Sequence, residues 1–554
     1  MLRSLLIAST LLFSAGQGLS IAAPFTQETA VSRDLVQRGR KLLDAEQPAK
    51  ALELFEQADG EAGGVLETRM WVLRAWMDQG RVNDALNEID RLRDKGAKGP
   101  ALDYLYGMGS FRRALRNQAG GMNKAIGFAF GDAVQFLTKA IDGDAATFYD
   151  AWVPLTQASW ATSEFERGRD VGSQAVTHRA QDPEAHFWYG RNLFALFQQA
   201  SANDPDSPAT KELIAAAAKA FDRAAELTPI DNKNAPKLHR IHLQRGYVAL
   251  WRKRPQDSHV PFAEAIGWEP SSVDYSALLG SLKDEQGQPA PFVDVLSKGH
   301  KLFVERWGTE TPSDATLLWW LGFGQLSVTQ YAAAEASYVS AVSKWPAYSD
   351  SWWYAGRARY FQENYEGAVE AWGEMFKVNP ESLVNLIGSD LESNTAILEY
   401  AKAKANEAVQ GGNTPLIVPI AGVAEAVLSA DPSKAKHWND VGLFSRDAGV
   451  YVSRLPGDDS SDRAMRYWER SWETYQKAIE LDPSEPAYLN DGAVVLHYNL
   501  QRDLDKAAKM YEQAIALAQK QIESGDFNEA DLAFKRIALR DATNNLAALR
   551  GNGE

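Results

Sequence analysis

The stretch Leu317–Pro380 reads LLWWLGFGQLSVTQYAAAEASYVSAVSKWPAYSDSWWYAGRARYFQENYEGAVEAWGEMFKVNP. Gly322 is followed by Ala334, Tyr338, Ala341 and Pro346, and Gly356 by Ala368, Trp372, Met375 and Pro380. The offsets are 12, 16, 19 and 24 both times, and each residue of the second set stands 34 after its counterpart. Offsets that differ by 4 and 3 place the small and aromatic residues on one face of a helix. The glycine lies on an earlier helix, where a side chain would hold the two apart. The proline closes the second helix, because the residue before it disfavours the α region. Each unit is therefore an antiparallel helical hairpin with one uncovered apolar face, and stacking further hairpins buries that face.

This 34-residue unit resembles the tetratricopeptide repeat, with its small residue and aromatic four apart and its terminal proline. The resemblance extends along the chain. Gly39 leads to Ala51, Phe55 and Ala58, Leu73 to Ala85 and Ile89, and Gly246 to Ser258, Phe262, Ala265 and Pro270. Second-helix signatures also stand at Ala217/Phe221/Ala224/Pro229, Ser471/Tyr475/Ala478/Pro483 and Ala507/Tyr511/Ala514. It implies an all-α fold, a right-handed superhelical solenoid of about ten to twelve hairpins. The chain is read as an array over 23–306, two well-matched units over 307–382, a second array over 383–525 that is degenerate at its start, and a capping helix and tail over 526–554.

Three units stretch the pattern. From Gly107 to Ala133, Gly190 to Ala217 and Gly442 to Ser471 the first offset is 26, 27 and 29 instead of 12, so 14, 15 and 17 residues are inserted. The added segments include NQAGGMNKAIGFAFG, QQASANDPDSPATK and RLPGDDSSDRAM. Their Gly, Pro, Asp and Ser content suits loops on one side of the array, and longer helices account for the added length equally well.

Residues 1–22 are an address. A single basic residue, Arg3, precedes the apolar run Leu5–Phe13, and Ser20 and Ala22 occupy the -3 and -1 positions of a cleavage site. This is the pattern of a secretory signal peptide. The run is too short to span a bilayer, which needs roughly 20 residues, and no later stretch is long and apolar enough. A periplasmic or extracellular location is expected.

Composition bounds the chemistry. In 554 residues, 58 Lys and Arg face 73 Asp and Glu, for a net charge of -15. A general grip on a phosphate backbone is not expected of such a chain. With no cysteine there is neither a disulfide framework nor a thiolate metal site. No nucleophile elbow, phosphate loop, dinucleotide fingerprint or paired-histidine zinc helix is present. His239 and His242 stand three apart without an identifiable third ligand, and Asp458, Asp459 and Asp462 lack the glycine and terminal carboxylate of a calcium loop. No cofactor, metal or catalytic residue is assigned, although a carboxylate pair in the groove would be invisible at this level.

The family resemblance points instead to the inner wall. First-helix positions three before the glycine and one, four and five after it line the concave face in arrays of this kind. Carried over, they give Phe187, Arg191 and Phe194; Tyr247 and Trp251; Trp319 and Phe323; and Trp353, Arg357 and Tyr360. Aromatics at this spacing are equally at home in a core. Read as a groove, the arginines take carboxylates or carbonyls of a partner segment while the rings supply rigid contact area. The expected function is a non-catalytic scaffold for protein or peptide partners of an envelope or secreted complex. The alternative is a carbohydrate-binding protein of a polysaccharide-uptake or cell-wall system, since aromatic faces also stack on sugars.

Overall fold

The computed structural model describes residues 29–119, 123–309, 312–409, 414–524 and 527–551; the leader read at 1–22 lies outside them. Every regular element among the described residues is a helix. The reference stretch folds as read: Ala315–Ser327 pairs with Tyr331–Lys344, and Ser351–Phe361 with Tyr365–Val378. Between the paired helices the chain turns through one residue in the left-handed region, Thr329 (φ 61°) and Glu363 (φ 60°) here.

The small residue of each first helix does what the spacing demands. A Cβ at Gly322 would lie 3.1 Å from the Tyr338 ring, and one at Gly356 only 2.2 Å from Trp372. The same contact recurs between Gly39 and Phe55 at 2.4 Å. In the stretched units the partners are Leu137 for Gly107, Phe221 for Gly190 and Tyr475 for Gly442. These lie 30, 31 and 33 residues on, the regular 16 displaced by the inserted 14, 15 and 17. The insertions are thus added without disturbing the packing register. They lengthen the helices: Pro100–Ala119 with Asn123–Asp144, Pro183–Asn203 with Pro208–Leu227, and Ala435–Ser453 with Ser460–Leu481. Among the described residues most of the added length is helix, with 204–207 and 454–459 left as short connections; 120–122 of the first insertion lie outside the described residues.

The chain divides into two compact units, Met1–Arg254 and Pro255–Glu554. The hairpin read from Gly246 to Pro270 contributes Ala235–Trp251 to the first and Pro255–Trp268 to the second.

Unit one closes on its own first hairpin. Arg40 is held between the rings of Trp71 and Tyr149, 4.4 and 4.3 Å from their centroids, and donates to the Thr147 carbonyl at 2.8 Å. Asp44 accepts from Arg179 at 3.1 Å, and Glu46 from Lys237 at 3.2 Å. These polar ties bridge segments more than 100 residues apart in sequence.

In unit two the degenerate region continues the array. The apolar helix Ile417–Ala430 packs on Tyr365–Val378, with Gly373 against Pro419 and Gly422 against Phe376. One core runs from Trp353 through Ile420 to Phe444 and Ala448. The last helix, Glu529–Gly551, buries Ala542 and Leu546 in the core it shares with Tyr511 and Ala514.

Candidate functional site

Four of the wall residues read from the sequence meet in unit one. Arg191 and Phe194 come from Pro183–Asn203, Tyr247 and Trp251 from Ala235–Trp251, and together they line a cavity of about 450 Å³. The first helix begins at Pro183 behind Asp182, whose side chain accepts from the Glu184 amide at 2.9 Å. Arg191, Phe194 and Gln198 stand 3 and 4 apart, as do Gln244, Tyr247 and Trp251, so each helix turns one stripe into the cavity. Trp160 and Phe165, from the hairpin before, complete the wall. Asn192, fully buried, locks the neighbouring helices by donating to the carbonyls of Thr156 and Trp188.

The cavity is graded in exposure. Phe194 is 7% exposed, and Trp251 at the mouth is 49% exposed. Trp251 meets Phe197 edge to face at 5.5 Å, and Phe197 stacks on Phe194 at 5.9 Å. The guanidinium of Arg191 lies 4.1 Å over the Trp160 ring and holds no carboxylate among the described residues. Burial, with help from the nearby charge of Arg240, pulls its pKa down to about 10, so it is still cationic at neutral pH. Arg240, one helix away, is paired with Glu184. Arg191 is the uncompensated charge of this cavity among the described residues.

In unit two the residues disperse. Trp319 and Phe323 stack at 5.9 Å, and Trp319 meets Tyr338 and Tyr354 edge to face. Arg357 acts on these two tyrosines electrostatically, holds no carboxylate among the described residues, and leaves its buried Nε without a partner. Tyr360 belongs to a separate cluster with Tyr365 and Tyr400.

Two wall assignments are corrected. Phe187 is 1% exposed, packed on Trp188 and Phe221, and Trp353 is 2% exposed, packed on Trp372. Both rings are core and offer no face to a partner. Their positions in the repeat are regular, but the neighbouring aromatics close over them.

Sequence reasoning missed Trp160, Phe165, Gln198 and Gln244, although the last two follow from the same helical spacing. It also missed a cavity of about 970 Å³ in unit two, walled by helices from the degenerate region and the third insertion. Among the described residues no three His, Cys, Asp or Glu side chains come together as a metal would require. No helix among them is long and apolar enough to cross a membrane.

Residues 42–108 match the family model for the tetratricopeptide repeat. The chain carries tetratricopeptide repeats. The matched segment includes Phe55, and the glycine-on-ring contact made there by Gly39 is repeated by Gly322 and Gly356 far outside it. Among solved structures, a chain of the crystal structure of the APC/C hetero-tetramer Cut9–Hcn1 is 11% identical. It covers 94% of this chain and 96% of its own, with a TM-score of 0.25. A chain of the structure of Naa15/Naa10 bound to HypK-THB is 13% identical and covers 89% of this chain and 66% of its own, with a TM-score of 0.27. No curated protein matches the chain.

Proposed function

We propose that this tetratricopeptide-repeat chain is an exported, non-catalytic scaffold that organises an envelope or secreted complex by holding a partner protein segment in the Arg191 cavity. Tetratricopeptide repeats bind protein partners as a rule, and the observation that carries the reading to this cavity is the unpaired guanidinium. A charge partly withdrawn from water without a counter-ion costs free energy, and a ligand that supplies the counter-charge recovers it. A carboxylate or main-chain carbonyl of the partner accepts from Arg191, while an apolar side chain lies against Phe194, Tyr247 and Trp251. Export rests on the leader read at residues 1–22.

The test is affinity capture from native envelope extract with the tagged chain and its Arg191→Glu form side by side. A protein retained by the first and lost by the second is expected. Retention of saccharide without protein would replace this reading with the carbohydrate-binding one.

A further inference from the structure

Unit two contains a second cavity that the scaffold reading above does not use. It lies between Tyr365–Val378, the start of Ile417–Ala430 and Ser460–Leu481, and its volume is about 970 Å³. Its apolar surface comes from Phe376, Leu416, Val418, Pro419 and Tyr467. Helix Ser460–Leu481 lends it Arg463, Arg466, Tyr467 and Arg470, spaced so that one helical face meets the cavity.

The charges divide into paired and unpaired. Arg470 grips both oxygens of Glu425 at 2.7 and 3.0 Å, Arg359 takes Glu335 at 2.8 Å, and Lys377 stands 3.5 Å from Glu374. Arg463 and Arg466 are exposed and hold no carboxylate among the described residues; Glu370 is the one lining acid also left over. The rim therefore carries net positive charge on a chain of net charge -15.

We propose that this cavity is a docking site for an acidic, apolar peptide segment of a partner protein. Apolar side chains of the segment cover Phe376, Leu416 and Val418, and two of its carboxylates accept from Arg463 and Arg466. Residues three apart on a helix are neighbours about 5–6 Å apart at Cβ. That spacing suits two acids on one turn of a helical ligand, where a single-headed amphiphile would engage only one arginine. Glu370, Glu374 and Glu425 also interrupt the wall, so it offers no continuous sleeve for an acyl chain. Two unpaired arginines are too few for a nucleic-acid track.

The experiment selects a random peptide-display library of about twelve residues on the full chain, and the enriched peptides are then compared on Arg463→Glu/Arg466→Glu and on Arg191→Glu, which tells apart any seated at the other cavity. Both arginines are exposed, so the double variant keeps its fold, checked by circular dichroism. Enriched peptides are expected to carry two carboxylates at helical spacing beside Leu, Phe or Trp. By fluorescence anisotropy they should lose about ten-fold or more in affinity for the double Glu variant, and less for Arg463→Gln/Arg466→Gln. Peptides no richer in Asp and Glu than the library, or equal affinity for the charge-reversed chain, would overturn the proposal.

Discussion

Arg191 rests its guanidinium 4.1 Å over the indole of Trp160 and has no acid to pair with, whereas Arg240 across the same helices is matched by Glu184. Stacking on an aromatic face contributes about 0.5–2 kcal/mol. Full burial of an unpaired cation costs several kcal/mol, and the half-buried Arg191 bears a part of that cost. The binding role proposed for Arg191 requires the desolvation cost at this half-buried site to exceed the stacking gain, so that the charge is held at the expense of stability.

Arg191→Met follows from this balance. Methionine keeps the length and apolar volume against Trp160 and removes the charge. The chain should gain about 1 kcal/mol, seen as a higher urea midpoint, while capture of the partner is lost. A variant that is destabilised would show that the guanidinium is structural.

A second prediction separates two glycines with the same place in the repeat. Replacing a helical glycine by alanine gains about 1 kcal/mol in propensity. At Gly322 the new Cβ would be 3.1 Å from the Tyr338 ring, a distance that a small shift relieves, so Gly322→Ala should be close to neutral. At Gly356 it would lie 2.2 Å from the Trp372 Nε1, whose N–H donates to the Trp353 carbonyl at 3.1 Å from a fully buried ring. Gly356→Ala should therefore cost a net ~2 kcal/mol through overpacking and a strained hydrogen bond. Denaturant midpoints of the two variants, measured in parallel, check the order; equal midpoints would contradict it.

The repeat was legible because it is written in small residues at fixed spacing: a glycine under a ring in most units, and an alanine or serine four before that ring. The size of each insertion was equally legible, since Gly190 and Phe221 had to remain partners however many residues intervened. What filled the insertion was not. RLPGDDSSDRAM has the composition of a loop, yet its last residues, from Ser460 on, start a helix, and this is how Arg463 reaches the unit-two cavity. The wall was only partly legible for a different reason. Position in a repeat gives the direction of a side chain but not what covers it, and Phe187 and Trp353 are covered by Phe221 and Trp372. Trp160 escaped because its hairpin has no clear glycine signature to count from.

The last prediction concerns acid. Asp440 is buried, which raises its pKa, but Lys402 and Lys436 outweigh burial and hold it below the ordinary carboxylate value. The ammonium of Lys402 lies 2.8 Å from Asp440 and 2.6 Å from Glu399, and Lys436 lies 2.6 Å from each. A carboxyl whose folded pKa is lowered stabilises the fold above its unfolded value of about 4, and that contribution disappears as pH falls through the folded value. Asp440→Asn removes the carboxylate and leaves Lys402, 3% exposed, with Glu399 alone. The variant should lose about 2–3 kcal/mol at neutral pH, and its midpoint should fall less steeply than that of the parent between pH 5 and 3, a range set by the ordinary carboxylate pKa of about 4. Thermal melts across that range provide the measurement, and parallel acid limbs for the two chains would show that Asp440 does not carry the linkage.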